Sequence, residues 1–378
     1  MIVDFSWTDE QRALRQSVIK FAQQELTRDL IEPERNEEFY WDGWKKCAQF
    51  GIQGLPVLAE YGGRGADILT TACALEALGY GCRDNGLIFS INAHMWSSEI
   101  PFMMFGNEEQ KKRYLPKLVS GEYVGVHAMT EPTSGSDAFS LRSRAELKGD
   151  RYVINGSKTF ITNAPIADVV IVFANVDPAK GAQGITGFIV DKGTPGFTIS
   201  KKLHKMGLRT SPMAELAFVD CEVPVENVLG KLGAGTAIFT ASMEWERICI
   251  LAGHLGTMQR LLEGCVRHAL QKKKSNGALS SVSTKIADME IRLETARLVL
   301  YKAAWLKSLG KHPLREAAIC KAYVADACVQ TCLDAIQIYG TAINECQIER
   351  ELRDALPGKI YSGTTEIQKM IIAGLHGL

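Results

Sequence analysis

Apolar residues recur along this 378-residue chain with two different periods, and the order in which those periods alternate sharply narrows the possible folds. Thr8-Asp9-Glu10-Gln11 has the capping-box pattern, and Leu14, Val18, Phe21 and Leu26 follow at helical spacing. Further helices are expected at Asp42 to Phe50, Ile68 to Gly79 and Glu108 to Val119, divided by turns such as Tyr61-Gly62-Gly63-Arg64-Gly65. After Gly121 the period shortens. Tyr152-Val153-Ile154, then Asn155-Gly156, then Lys158-Thr159-Phe160-Ile161 predicts a hairpin with a primed turn. Short β-branched segments follow at Val169 to Phe173, Gly187 to Val190, Phe197 to Ser200 and Glu215 to Val219. From about Ala237 the helical period returns: Ile286, Met289, Leu293, Ala296, Leu300 and Ala303 mark one apolar face, and Ala318, Val324, Cys328 and Ile336 another. The expectation is an α+β protein with an N-terminal helical domain over residues 1–121, a middle antiparallel β domain over 122–236 and a C-terminal helical bundle over 237–378.

A chain of this length can bury a sizeable core, and 46% hydrophobic with 23% charged residues suits a folded globular protein, not a disordered or fibrous one. Lys plus Arg and Asp plus Glu both number 43, so net charge gives no general pull toward nucleic acid or anionic membrane. The ten cysteines are scattered without a Cys-x-x-Cys pair or a Cys/His grouping at zinc spacing, which predicts reduced thiols and no metal site. Cys328 and Cys332 share a helix face and are expected to pack there as small hydrophobes. Met1 to Arg12 carries acids early, and the most apolar run, Val169 to Ala174, is too short to span a bilayer; a cytoplasmic location is expected.

Two segments are dense in small and hydroxyl residues: Met129-Thr130-Glu131-Pro132-Thr133-Ser134-Gly135-Ser136-Asp137, and Gly358-Lys359-Ile360-Tyr361-Ser362-Gly363-Thr364-Thr365-Glu366. Such loops offer N–H groups and hydroxyls to a phosphate or to the polar edge of a heterocycle. Surface turns are built from the same residues, so composition leaves both readings open.

The helical, β, helical order, the stretch Met129 to Asp137, the strand Lys158-Thr159-Phe160-Ile161-Thr162-Asn163, the run Met206-Gly207-Leu208-Arg209-Thr210-Ser211, and Arg353-Asp354 leading to Tyr361-Ser362-Gly363-Thr364 together resemble the acyl-CoA dehydrogenase family. The similarity covers essentially the whole chain. It implies a C-terminal four-helix bundle, a homotetramer, and FAD between the β domain and the C-terminal helices with a thioester lying against it. By that resemblance Met129, Thr130, Gly135 and Ser136 would meet the flavin and its ribityl or phosphate portion. Phe160, Ile161 and Thr162 would line its other side, and Thr364 and Glu366 would lie near the pyrophosphate. Gln337 and Gly340 would touch the adenosine of a neighbouring subunit's FAD. His127, just ahead of the flavin loop, is worth following; the other histidines are not grouped as ligands.

Two positions depart from the family pattern. Most members place a glutamate base immediately before Gly-Thr, where this chain has Ser362, whose hydroxyl is a poor base at neutral pH. In branched-chain and long-chain members the base comes from an earlier helix, just before an arginine, and Glu246-Arg247 matches that position. The resemblance then makes Glu246 the base for the α proton and sets Arg247, Tyr361 and Ser362 beside the substrate, Ser362 through a backbone N–H that does not depend on its side chain. Glu244, two residues away, lies on another helix face. The second departure is Gln271-Lys272-Lys273-Lys274-Ser275-Asn276-Gly277, where relatives carry an Arg-x-x-Phe-Gly pattern; lysine lacks the bidentate grip of arginine on phosphate.

Trp245-Glu246-Arg247, Ile360 to Thr364 and Thr162-Asn163-Ala164-Pro165-Ile166-Ala167-Asp168 are similar to a subgroup of that family that oxidises prolyl groups tethered to carrier proteins in natural-product biosynthesis. An ordinary dehydrogenase of short- or branched-chain acyl-CoA is the alternative, and a catalytically inert helical scaffold is the alternative from another class. The electron acceptor, a flavoprotein or oxygen, is left open by the sequence.

Overall fold

The computed structural model describes residues 7–276, 280–343 and 347–378. Cys346, and Gly277 at the end of the lysine-rich departure, lie outside the described residues. Asp9–Glu25 (α1) opens with the expected capping box: Thr8 Oγ1 accepts from the Gln11 N–H and the Gln11 side chain accepts from the Thr8 N–H, both at 3.1 Å. Ile31–Arg35 (α2), Trp41–Phe50 (α3), Ile68–Gly81 (α4), Asn85–His94 (α5), Ile100–Phe105 (α6) and Glu108–Val119 (α7) complete the first helical part. A π-helical turn, Met95–Glu99, joins α5 to α6. Pro101 has no N–H to offer the Ser97 carbonyl, and the wider turn directly before it takes up that loss.

Gly125–Ala128 (β1), Arg144–Lys148 (β2), Arg151–Thr162 (β3), Val169–Asn175 (β4), Ile185–Asp191 (β5), Phe197–Lys202 (β6), Met213–Pro224 (β7) and Val228–Leu229 (β8) form one eight-stranded sheet. Its order is β6-β7-β3-β2-β4-β5-β8, with β1 also beside β4; β1 and the start of β2 run parallel to β4, and every other pairing is antiparallel. All seven residues of β4 are buried, because each face of this strand meets a different core. Val170, Val172 and Ala174 pack with Ile154, Leu216 and Phe218, whereas Val169, Ile171 and Phe173 pack with Tyr114, Leu118 and Ile238 from the helices.

The hairpin predicted at Asn155-Gly156 is not there: β3 runs straight through both residues, and the turn is Gly149-Asp150, with Gly149 at φ 64°. Asn155-Gly156 instead marks a register shift against β7. The Asn155 amide bridges Asp220 across that shift, accepting its N–H at 2.8 Å and donating to its Oδ1 at 3.1 Å. A Cβ on Gly156 would stand 2.2 Å from Ser143 Oγ, so glycine is required by close approach.

Gly235–Cys249 (α8), Ala252–Asn276 (α9), Ser280–Ser308 (α10), Leu314–Tyr339 (α11), Ile348–Ala355 (α12) and Thr365–Gly374 (α13) form the C-terminal part. One core joins Trp44, Leu75 and Trp96 from the first helices to Met258, Leu293 and Cys328 from the last, so the two helical segments are a single packed body. α4 and α9 meet backbone to backbone, since a Cβ on Gly79 would lie 2.1 Å from the Gly253 carbonyl oxygen. Cys328 and Cys332 lie in this core, and all described cysteines are buried free thiols. Among the described residues, no helix is long and apolar enough to cross a membrane.

Candidate active site

α8 carries Glu246 and Glu244 two residues apart, and the packing sends them to different surroundings. Glu246 is buried, 9% exposed, and accepts a hydrogen bond from Ser362 Oγ. Glu244 turns to α10, where its carboxylate pairs with Lys307 and lies 3.4 Å from His312 Nδ1. Burial pushes the Glu246 carboxyl above its ordinary range, opposed by the Ser362 hydroxyl and the charges of Arg247 and Lys321. The Ser362 side chain is therefore a direct partner of the carboxylate, which its expected backbone role did not include.

Ser362 has a left-handed backbone, φ 55°, which costs a residue with a Cβ about 1–2 kcal/mol. The conformation is held from two sides: Arg247 Nε donates to the Ser362 carbonyl at 3.3 Å, and Gln368 Nε2 donates to the carbonyls of Ser362 and Gly363 at 3.3 and 3.0 Å. Tyr361 packs on Phe89 of α5 with ring centroids 4.8 Å apart, and its hydroxyl lies 3.4 Å from His254 Nε2. Burial holds His254 down to about 4, so its imidazole is neutral at working pH. The Lys321 ammonium of α11 sits 5.8 Å from the centroid of the Tyr361 ring.

A second group of predicted residues gathers at the end of β3. Met129 and Thr130 lie against it: Lys158 Nζ donates to the Met129 carbonyl at 3.1 Å and the Thr159 N–H to the Thr130 carbonyl at 2.9 Å. Glu131 ties this corner together, pairing with buried Lys158 at 2.8 Å and accepting the N–H groups of Arg142 and Ser143 at 2.6 and 3.0 Å. Burial pushes the Glu131 carboxyl up, yet Lys158 and those donors outweigh it and hold it below its usual range. Ser136 is exposed, and a Cβ on Gly135 would meet nothing within 4 Å, so the loop presents an open polar edge.

Phe160 breaks the β3–β7 register with a left-handed φ of 58°, and its side chain is 64% exposed beside buried Ile161 and half-buried Thr162. An aromatic forced outward at such a backbone cost suits a planar ligand face. Asn163 then returns the chain to α5 by donating to the Ser90 carbonyl at 2.9 Å. Phe89 of that helix contacts Tyr361, so α5 links the β3 corner to the Glu246 corner.

Thr364 caps α13, its hydroxyl accepting the Ile367 N–H at 3.3 Å, and buried Thr365 Oγ1 and Gln368 Oε1 have no hydrogen-bond partner. The helix N-terminus and the unpartnered Thr365 hydroxyl, which can donate, fit an anionic group such as a pyrophosphate, whereas Gln368 Oε1 can only accept and calls for a donor. The Glu366 carboxylate is exposed and held below its usual range by its own N–H and the Thr364 hydroxyl, so it can accept from a ligand hydroxyl but would repel a phosphate. Gln337 and Gly340 are exposed near the end of α11, roughly 24 Å along the helix from Lys321, and are not brought to this site within one chain. His127 has an unpartnered Nδ1 and ring neighbours Phe239 and Phe173 at 5.6 and 6.0 Å; burial takes its imidazole down to about 4.

Lys321, His254 and the Glu131–Lys158 pair were not predicted. Lys321 left a signal, a single long cation on the apolar stripe Ala317, Ala318, Val324, Ala325. His254 left none.

Helices packed on one face of a mixed sheet, with a dry carboxylate held inside the helical body, are the architecture of an acyl-thioester dehydrogenase. The chain belongs to the acyl-CoA dehydrogenase family: residues 8–122 match its N-terminal domain, 127–221 its middle domain and 233–374 its C-terminal domain. It is 42% identical to an acyl-CoA dehydrogenase of Bacillus subtilis, over 97% of each chain. The prolyl acyl carrier protein oxidase AnaB superposes with a TM-score of 0.96 at 48% identity, over 99% of this chain and all of that one. The structure of PigA with FAD and proline gives a TM-score of 0.96 at 38% identity over the full length of both.

Proposed function

We propose that this protein is an FAD-dependent enzyme that removes the α and β hydrogens of an L-prolyl thioester carried on a peptidyl or acyl carrier protein, with Glu246 as the base. The observation that carries the chemistry is the Glu246 carboxylate, buried, raised toward working pH and hydrogen-bonded to Ser362. Similarity to a prolyl carrier protein oxidase and to a protein solved with FAD and proline supports the substrate class.

Met129, Thr130, Gly135, Ser136, Phe160, Ile161, Thr162, Thr364 and Glu366 would hold FAD, which when bound accepts the hydride. The Ser362 N–H would steady the thioester oxygen, so that negative charge arising when the α proton leaves has a fixed donor. Glu246 takes that proton. Arg247, through its bond to the Ser362 carbonyl, keeps donor and base in register. Tyr361 and Phe89 supply an apolar wall that excludes water and strengthens these interactions. The reading extends to a cytoplasmic homotetramer in natural-product biosynthesis that passes electrons to a flavoprotein or to oxygen.

Anaerobic mixing of the FAD-loaded enzyme with prolyl carrier protein, and separately with butyryl-CoA and isovaleryl-CoA, tests this. Flavin bleaching and a product two hydrogens lighter are expected on the carrier protein, with free proline inert, because one small ring offers little binding area. Rapid turnover of the acyl-CoAs alone would assign a short- or branched-chain acyl-CoA dehydrogenase, and no bleaching with any thioester an inert scaffold. Glu246→Gln keeps size and should lower the bleaching rate by ~10²–10⁴-fold, the usual scale of general-base catalysis.

A further inference from the structure

Lys321 is fully buried, and its Nζ has no hydrogen-bond partner. A buried ammonium is tolerated only where an opposite charge compensates for its lost hydration. The charged and titratable groups that bear on it come from four elements. They are Glu246 and Arg247 of α8, His254 of α9, Asp326 of its own helix and Glu366 of α13, with the Tyr361 ring over the ammonium. Asp326 is half-exposed and paired with Lys359 at 2.7 Å, and the Glu366 carboxylate is exposed. His254 is neutral, and Arg247 already serves the Ser362 carbonyl. Glu246 is the one buried anion in the set.

We infer that Lys321 is a positioning residue whose buried charge adds to that of Arg247 in keeping Glu246 ionisable in its dry pocket. This rests on Glu246 being the base. The groups that favour the Glu246 carboxylate are the Ser362 hydroxyl, then the Arg247 charge, then Lys321, whose Nζ is buried in the same pocket wall with no hydrogen-bond partner of its own. Burial lowers the ammonium to about 8, which still leaves it charged throughout the range in which a carboxylate titrates. With the positive charge removed, the carboxylate is harder to ionise, so the acid limb of the flavin-reduction profile moves to higher pH.

The test is the pH profile of anaerobic flavin bleaching by prolyl carrier protein for Lys321→Met, Lys321→Gln and Lys321→Arg at matched FAD occupancy. The two neutral variants should move the acid limb up by about one unit, a tenfold loss of ionised base below the midpoint. Lys321→Arg should bring it back toward the parent. Should a neutral variant not accumulate as folded protein, the infrared carboxyl band of Glu246, identified by its loss in Glu246→Gln, is followed against pH in the other neutral variant and needs no turnover. An acid limb and a carboxyl band unmoved in both neutral variants overturn the inference. So does an equal shift in Lys321→Arg, which would make volume the cause. If Glu246→Gln bleaches at the parent rate, the base assignment itself is wrong, a separate outcome.

Discussion

Ser362 occupies the place where the family resemblance sets the usual base, and its hydroxyl donates to Glu246, the base we propose instead. Hydrogen bonds to charged groups are worth about 1.5–3 kcal/mol net, on the order of one to two units of pKa. Ser362→Ala should therefore raise the Glu246 carboxyl further, move the acid limb of bleaching to higher pH, slow it about tenfold below that limb's midpoint and recover above it, since the lost bond favoured the ionised form. A flat response across pH would show that only the Ser362 backbone matters. Glu244→Gln should leave the bleaching rate essentially at the parent level, because that carboxylate is spent on Lys307 and His312; a dead Glu244→Gln enzyme would place the base there instead. At this scale the sequence carried much of the site. The resemblance to family members whose base stands just before an arginine marked Glu246, whereas the Ser362 hydroxyl bond depends on a left-handed backbone that no local pattern announces.

β3 shows how an element is bent to serve the site. Its ladder slips between Lys158 and Ile161, and the slip sends Phe160 out at φ 58° while Lys158 turns inward to Glu131. Phe160→Gly relieves the left-handed strain and loses little packing, so thermal stability should hold or rise, while FAD affinity falls with the aromatic face; parallel loss of both would make Phe160 an ordinary structural residue. Glu131→Gln leaves the Lys158 ammonium buried without its anion and should cost about 3–5 kcal/mol, read as a lower urea midpoint and weaker FAD retention. Elements with polar flanks were legible: Glu108–Val119 follows its Asn107 cap residue for residue. The run from Asn85 to Phe105 was not, because it is buried almost all round and has no polar face to set a period. Asn155-Gly156 misled because a bulge and a primed turn call for the same residues, and only the partner strand β7 distinguishes them.

The molecule as a whole has its reacting corner on one side of α11 and its two other predicted cofactor contacts, Gln337 and Gly340, exposed near the far end of that helix. The helix is straight enough in sequence, without proline inside Leu314–Tyr339, to hold the two ends roughly 24 Å apart from Lys321 to Gln337. Residues so placed are remote from Glu246, and the family resemblance gives them to a cofactor site built by a second copy. On that assignment part of the cofactor's binding energy would reside in a neighbour, so binding and association would be linked. Added FAD should then shift the protein toward a tetramer, or at least a dimer. Gln337→Ala should weaken FAD retention while leaving the bleaching rate of the FAD-loaded fraction unchanged, since Gln337 is remote from Glu246. Light scattering across a dilution series, with bound FAD followed by absorbance, measures both together. A monomer at micromolar concentration that still holds FAD, or a Gln337→Ala protein with parent-like retention, would mean that one chain completes its own cofactor site.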